Sequence, residues 1–232
     1  MVGADFVAEY RRIVSRIGLV EAIGGTGVVV SVRASDAGLV RRTAAALAEG
    51  GVRAVELSFD SIGEESRLVQ TLRDEGLTVG VGGVTRASQA REVAMIGADF
   101  VATAVAAPDV VAACGEMDVP CILSGLTPTE VWRALEMGAD FVKIRAEVLG
   151  GPRYIRSLRE ALPVARRLIA AEVPIEGYLP YLEGGAEALE FGGSLVHPGL
   201  IERGEWAEIS RRASKVVNAC DEWKAKRDGP DS

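Results

Sequence analysis

The sequence has a single histidine, His197, and only three cysteines, Cys114, Cys121 and Cys220, among 232 residues. An odd, irregularly spaced set of thiols, two of them inside apolar stretches, argues against a disulfide framework and fits a reducing cytoplasm. One imidazole without a neighbouring ligand cluster gives no metal site, and no cofactor is expected. Aromatic residues make up 5% of the chain, leaving a core of small aliphatics. Positive charge is outnumbered, 26 Lys and Arg against 33 Asp and Glu, and the net charge of −7 argues against nucleic acid or an anionic membrane as partner, because both reward a positive field. The opening "MVGADFVAEYRRIVSRIG" has early acidic residues and no long apolar run, so neither a signal peptide nor a membrane span is expected. No Pro/Ser-rich linker divides the chain, and single α/β barrels commonly reach about 250 residues. A small-molecule partner remains as the default.

What the sequence does have is repetition. Gly or Asp recurs just before short apolar runs in "EGGVRAVELS", "DEGLTVGVGG", "MIGADFVATA", "EMDVPCILSG" and "EMGADFVKIR", at intervals of 20 to 25 residues from Gly51 to Gly138. One unit of helix, turn, strand and loop needs about that length. With "GVVVSV" in front and "RLIAAEV" and "LEGGAEALEFG" behind, eight strands are predicted to start near 27, 53, 78, 99, 120, 140, 167 and 187. Between them lie amphipathic helices, such as 38–51, where Leu39, Val40, Thr43, Ala44 and Leu47 share a face. In "TPTEVWRALEMG", Thr127 and Glu130 form a capping box, Pro128 suits the first helical turn and Gly138 the C-terminal cap.

Eight such units predict a single-domain (β/α)8 TIM barrel over 26–214. A helical segment at 1–25 packs on it, with Phe6, Val7, Tyr10, Ile13, Val14 and Ile17 as an apolar stripe, and 215–232 reads as a helix end with a charged tail. A doubly wound open sheet stays possible if "RLIAAEV" is not a strand.

Barrel strands are apolar on both faces, so a charge inside one needs a reason. Glu56 lies between Val55 and Leu57, and Lys143 between Val142 and Ile144. With period two, Ala54, Glu56 and Ser58 share a face, as do Phe141, Lys143 and Arg145. "GADFVATA" and "GADFVKIR" align Ala102 with Lys143, so one copy carries an amine where the other carries a packing residue. Two readings are open. A structural ion pair fills a polar layer but gives little net stability. Alternatively, Lys143 is a nucleophile whose amine is kept unprotonated by a low-dielectric site, with Glu56 moving protons beside it.

These residues, in "LAEGGVRAVELSFDS", "VGVGGVTRASQA", "VPCILSGLTPTEVWRALEMGADFVK" and "FGGSLV", resemble the class I KDPG/KHG aldolase family, which cleaves 2-keto-3-deoxy-6-phosphogluconate and 4-hydroxy-2-oxoglutarate. The similarity runs from about Val28 to Ala213, and the chain looks like a divergent member. The resemblance implies that Lys143 forms a Schiff base with a 2-oxo acid such as pyruvate and that Glu56 is the acid/base, with an aldehyde as the other product. It also implies a cytoplasmic homotrimer that uses no metal and binds phosphate at its last two loops. Gly192, Gly193 and Ser194 keep the anion-cradling pattern.

Departures from the family pattern point to a different substrate. Asp60 stands where relatives carry a carboxylate-binding arginine; Arg33 and Arg145 are the candidate replacements, and Asp60 itself is a candidate partner for Arg145. Gly83 replaces an expected threonine, and Ala170, Ala171 and Glu172 replace Thr-Gly-Gly, setting an anion near any bound phosphate. A weak preference for the family's phosphorylated sugar acid follows. The iminium serving another reaction, such as decarboxylation or dehydration, and a non-catalytic metabolite-binding barrel are the alternatives. His197, beyond "GGSLV", reads as a surface loop residue.

Overall fold

The structure, a computed structural model, describes residues 4–34, 36–62 and 67–227, and within these the side chains from residue 13 onward. The chain runs α1 (Ala4–Thr26), β1 (Val28–Val32), α2 (Ala37–Glu49), β2 (Ala54–Ser58), α3 (Phe59–Ile62), α4 (Arg67–Asp74), β3 (Thr78–Gly82), α5 (Ala87–Met95), β4 (Phe100–Ala102) and α6 (Pro108–Glu116). It continues through β5 (Cys121–Ser124), α7 (Pro128–Glu136), β6 (Phe141–Ile144), a 3-10 turn (Ala146–Leu149), α8 (Pro152–Ala161), β7 (Leu168–Ala170), α9 (Leu179–Glu183), β8 (Ala188–Phe191), α10 (Pro198–Glu202) and α11 (Trp206–Arg227). The eight strands pair in sequence order, all parallel, and β8 closes on β1. The open-sheet alternative is excluded, because "RLIAAEV" does supply a strand between β6 and β8.

The repeat in the sequence has a conformational cause. Gly51, Gly76, Gly97 and Gly138 follow helix ends with φ between 86° and 91°, and Asp118 fills the same role at φ 53°. Left-handed backbone there turns the chain from helix into strand, and glycine adopts it without a Cβ clash. Within "GADFVATA" and "GADFVKIR" the aspartates do equivalent work. Asp99 accepts the Val79 N–H at the start of β3, and Asp140 accepts that of Cys121 at the start of β5. Each also holds an arginine, Arg73 and Arg16 respectively, so Asp140 ties α1 to the barrel. The capping box of Thr127 and Glu130 opens α7 as expected.

Alternate strand residues point in. Val29, Ala54, Phe100, Ile122, Phe141, Ile169 and Ala188 form a floor layer, and Leu19 and Ile23 of α1 press onto it from below. The outward set, including Val30, Val55, Val79, Val101, Leu123 and Val142, packs under the helices. Gly80 is part of the floor design: a Cβ there would stand 2.0 Å from the Phe100 ring, so only glycine leaves room for the aromatic.

Of the apolar stripe expected at the N-terminus, Phe6, Val7 and Tyr10 lie outside the described side chains, while Ile13, Val14 and Ile17 are about half exposed. The expected boundary after residue 214 is not observed. It falls within α11, whose Ile209, Ala213, Val216, Val217 and Cys220 form one buried stripe down to the last turns. Residues 228–232 of the expected tail lie outside the described set. Among the described residues no helix is long and apolar enough to cross a membrane.

Candidate active site

One layer above the floor, at the C-terminal end of the strands, the inward side chains change from apolar to charged. β6 delivers Lys143 and β2, on the opposite side of the closed cylinder, delivers Glu56. The Lys143 amine donates to Glu56 Oε2 and, at 2.8 Å, to Glu190 Oε1 of β8. All three residues are buried, with 8%, 8% and 4% of their surface exposed. The two residues singled out from the sequence therefore meet.

Their third partner, Glu190, was missed. It carried the same signal, a charge between two apolar strand residues, Leu189 and Phe191, sharing a face with Ala188.

The electrostatics correct one expectation. Burial pushes the Lys143 amine toward neutrality, but Glu190 and Glu56 more than offset it, and the net effect raises its pKa above the ordinary lysine value. The two carboxylates thus favour the ammonium form of the amine over the free base expected from a low-dielectric site. Glu56 is also raised, by burial first, against the attraction of Lys143 and with the repulsion of Glu190. A carboxyl raised in this way can hold a proton, and an ammonium braced by two carboxylates has somewhere to send one.

Glycine shapes this layer as it shapes the floor. A Cβ on Gly82 would stand 2.2 Å from Glu56 Oε1, so the bare β3 backbone makes the space that the carboxylate occupies. Ala102, aligned with Lys143 in the repeat, is inward and small, and with Gly83, Thr103, Ser124 and Gly125 it lines a cavity of about 1180 Å³ above the charged cluster. Ser124 is fixed by donating its hydroxyl to the Thr103 carbonyl at 2.8 Å.

At the rim, Arg33 and Arg145 both line the cavity, as expected for substrate contacts. Both are engaged by one anion: Glu172 lies 3.3 Å from Arg33 and 2.9 Å from Arg145. Glu172 holds this place in left-handed backbone, φ 56°, which costs a non-glycine residue of the order of 1 kcal/mol or more.

Asp60 is not at this site. It is exposed on α3 beside a separate hollow of about 190 Å³ lined by Phe59, Ile62 and Glu92, because the turn of helix directly after β2 carries it off the mouth. The expected Asp60–Arg145 pair is replaced by Glu172–Arg145. Gly83 does line the cavity, whereas Gly192, Gly193 and Ser194 are not on its wall. The Ser194 hydroxyl instead donates to the Val173 carbonyl at 2.8 Å, tying the β8 loop to the β7 loop. His197 is exposed and caps α10, its Nδ1 accepting the Gly199 N–H. Among the described residues no cluster of His, Cys, Asp and Glu has a metal-binding arrangement.

Comparison with known proteins identifies the family and the fold. The family model described as KDPG and KHG aldolase matches residues 20–212. A 2-dehydro-3-deoxy-phosphogluconate aldolase of Treponema pallidum is 30% identical over 178 residues, covering 75% of this chain and 84% of its own. Among solved structures, one described as native KDPGal superposes with a TM-score of 0.75 at 24% identity, covering 84% of this chain and 94% of that one. The KDPG aldolase of Legionella pneumophila, with pyruvate captured as a covalent carbinolamine, gives 0.74 at 20% identity over 83% and 97%. A buried lysine ringed by carboxylates at the mouth of a closed eight-stranded barrel, on a chain matched through nearly its whole barrel, thus belongs to the KDPG and KHG aldolase family of carbon–carbon lyases, as a divergent member.

Proposed function

We propose that the protein is a class I aldolase acting on a 2-oxo acid, with Lys143 as the Schiff-base residue and Glu56 as the acid/base. The observation that carries this is the contact of the buried Lys143 amine with the Glu56 carboxyl at the open end of the barrel. The free amine adds to the C2 carbonyl carbon, and loss of water gives an iminium ion. That cation draws the electrons of the C3–C4 bond toward nitrogen while Glu56 takes the proton of the C4 hydroxyl, so an aldehyde departs and an enamine remains. Protonation of the enamine at C3 and hydrolysis return pyruvate and lysine. Arg33 and Arg145 are placed to hold the substrate carboxylate, a guanidinium–carboxylate pairing that Glu172 mimics in the resting site.

The aldehyde half differs from the family's phosphorylated one in this reading. Gly192, Gly193 and Ser194 lie off the cavity wall, which leaves a phosphate without the backbone cradle these residues were expected to supply. A cytoplasmic homotrimer belongs to the same proposal, and Trp132, 44% exposed on α7, supports a protein contact on that face. The test is incubation with pyruvate and borohydride followed by intact mass. A reduced adduct on the wild type and none on Lys143→Ala is expected; no adduct on the wild type, or an equal adduct on both proteins, sinks the assignment. Product analysis over a panel of 2-oxo acids separates an aldolase, which must release an aldehyde, from a decarboxylase or dehydratase.

A further inference from the structure

We infer that Glu190 is a second catalytic carboxylate, the group that takes a proton from the Lys143 ammonium and so delivers the nucleophilic amine; this rests on the Schiff-base reading above. Its carboxylate touches the reacting nitrogen at 2.8 Å and is only 4% exposed. Its place in the barrel separates it from the rest of the chemistry. In the closed order β8 faces β4, and the cavity opens mainly along Ala102–Ala106 after β4 and Ser124–Leu126 after β5. Glu190 lines the same cavity as Glu56 and reaches the amine from its β8 side. Glu56, beside Gly82 and near Gly83, borders the space in which the bond to be broken must lie.

The proton balance gives such a group a task. A lysine ammonium and a ketone become an iminium and one water: of the three ammonium protons, one stays on nitrogen and two leave with the carbonyl oxygen, with the charge unchanged. The first proton must leave before nitrogen has a lone pair, and it must return when the carbinolamine hydroxyl departs as water. Moving it from nitrogen to Glu190 leaves a neutral amine, a neutral carboxyl and the Glu56 carboxylate. Two carboxylates that share one buried site cannot both stay ionised cheaply once the ammonium charge is spent, so the pair keeps the proton inside. Glu190 then returns it to the departing hydroxyl, leaving Glu56 free for the C4 hydroxyl. Among the described residues the other charges on the cavity wall are Arg33 from the end of β1, Glu130, Arg133 and Glu136 of α7, Arg145 after β6 and Glu172 after β7.

The competing role for Glu190 is to hold the ammonium in place, and the two roles predict opposite effects. The experiment follows the borohydride-trapped pyruvate adduct against time from pH 6 to 9 in wild type, Glu190→Gln and Glu56→Gln, each checked for fold by circular dichroism. If Glu190 accepts the proton, Glu190→Gln forms adduct about a hundredfold more slowly at every pH, while Glu56→Gln still accumulates adduct but releases no aldehyde from a 4-hydroxy-2-oxo acid. Formate added to Glu190→Ala restores part of the rate by supplying the missing carboxylate, which a purely structural role does not predict. If Glu190 only steadies the ammonium, its removal lowers the amine pKa, and adduct forms as fast or faster with the profile moved to lower pH. That result overturns the inference while leaving the Schiff base intact; absence of adduct on the wild type overturns both.

Discussion

Gly82→Ala isolates the geometry of the acid/base from its chemistry. The new methyl carbon would stand 2.2 Å from Glu56 Oε1, 2.7 Å from its Cδ and 3.1 Å from its Cγ. Restoring an ordinary contact of about 3.4 Å moves the carboxylate oxygen by about 1.2 Å, and a displacement of that size at a reacting group costs on the order of a hundredfold in rate, or about 2.7 kcal/mol in the barrier. Gly82 is not in left-handed backbone, so alanine fits its φ, and Lys143 keeps Glu190 as a partner. Folding stability should therefore change far less than catalysis. A suitable assay is exchange of the pyruvate methyl protons with deuterated water, followed by proton NMR, because it requires iminium and enamine but no particular aldehyde. Wild type should exchange, and Gly82→Ala should exchange about a hundredfold more slowly with a similar melting temperature. Exchange at the wild-type rate would refute the proposal that Glu56, held where it is seen, is the acid/base, here extended to the proton at C3.

Three further outcomes follow from other parts of the structure. Gly80→Ala drives a Cβ to 2.0 Å from the Phe100 ring in the floor, so chemical denaturation should show a loss of about 1–3 kcal/mol from overpacking. Glu172→Gly removes a strained left-handed residue and frees Arg33 and Arg145; stability should hold within about 1 kcal/mol, and KM for the 2-oxo acid should fall. An unchanged or higher KM would mean that these arginines do not hold the substrate carboxylate. Burial pushes the Cys220 thiol up from 9.0 to about 11, so its contribution to stability is full below about pH 9 and is lost as pH rises toward 11. Melting temperature against pH should decline over that window less steeply in Cys220→Ala than in wild type.

The architecture was legible because its signal is local. Each strand starts within one residue of its expected position, since a left-handed glycine, or Asp118, sits between helix and strand in every repeat but that of β7. The Lys143–Glu56 contact was legible because period two and parallel closure put both on the inner face. Glu190 obeys the same rule, as a charge between Leu189 and Phe191 on the inner face of β8. Asp60, Gly192, Gly193 and Ser194 were misplaced for a different reason. Residues just beyond strand ends are aimed by loop conformation, which spacing does not encode, and the Glu172 clamp on Arg33 and Arg145 requires three such loops to converge.

The floor of phenylalanine and isoleucine, stoppered from beneath by Leu19 and Ile23, makes this vessel one-ended. Whatever enters must leave by the way it came, and the portion bonded to Lys143 lies deepest. In the proposed Schiff-base reaction the aldehyde has to pass outward before water reaches the tethered fragment and hydrolyses it from the lysine, so release is ordered, and a high concentration of the aldehyde will refill the mouth and drive the chemistry backward into synthesis.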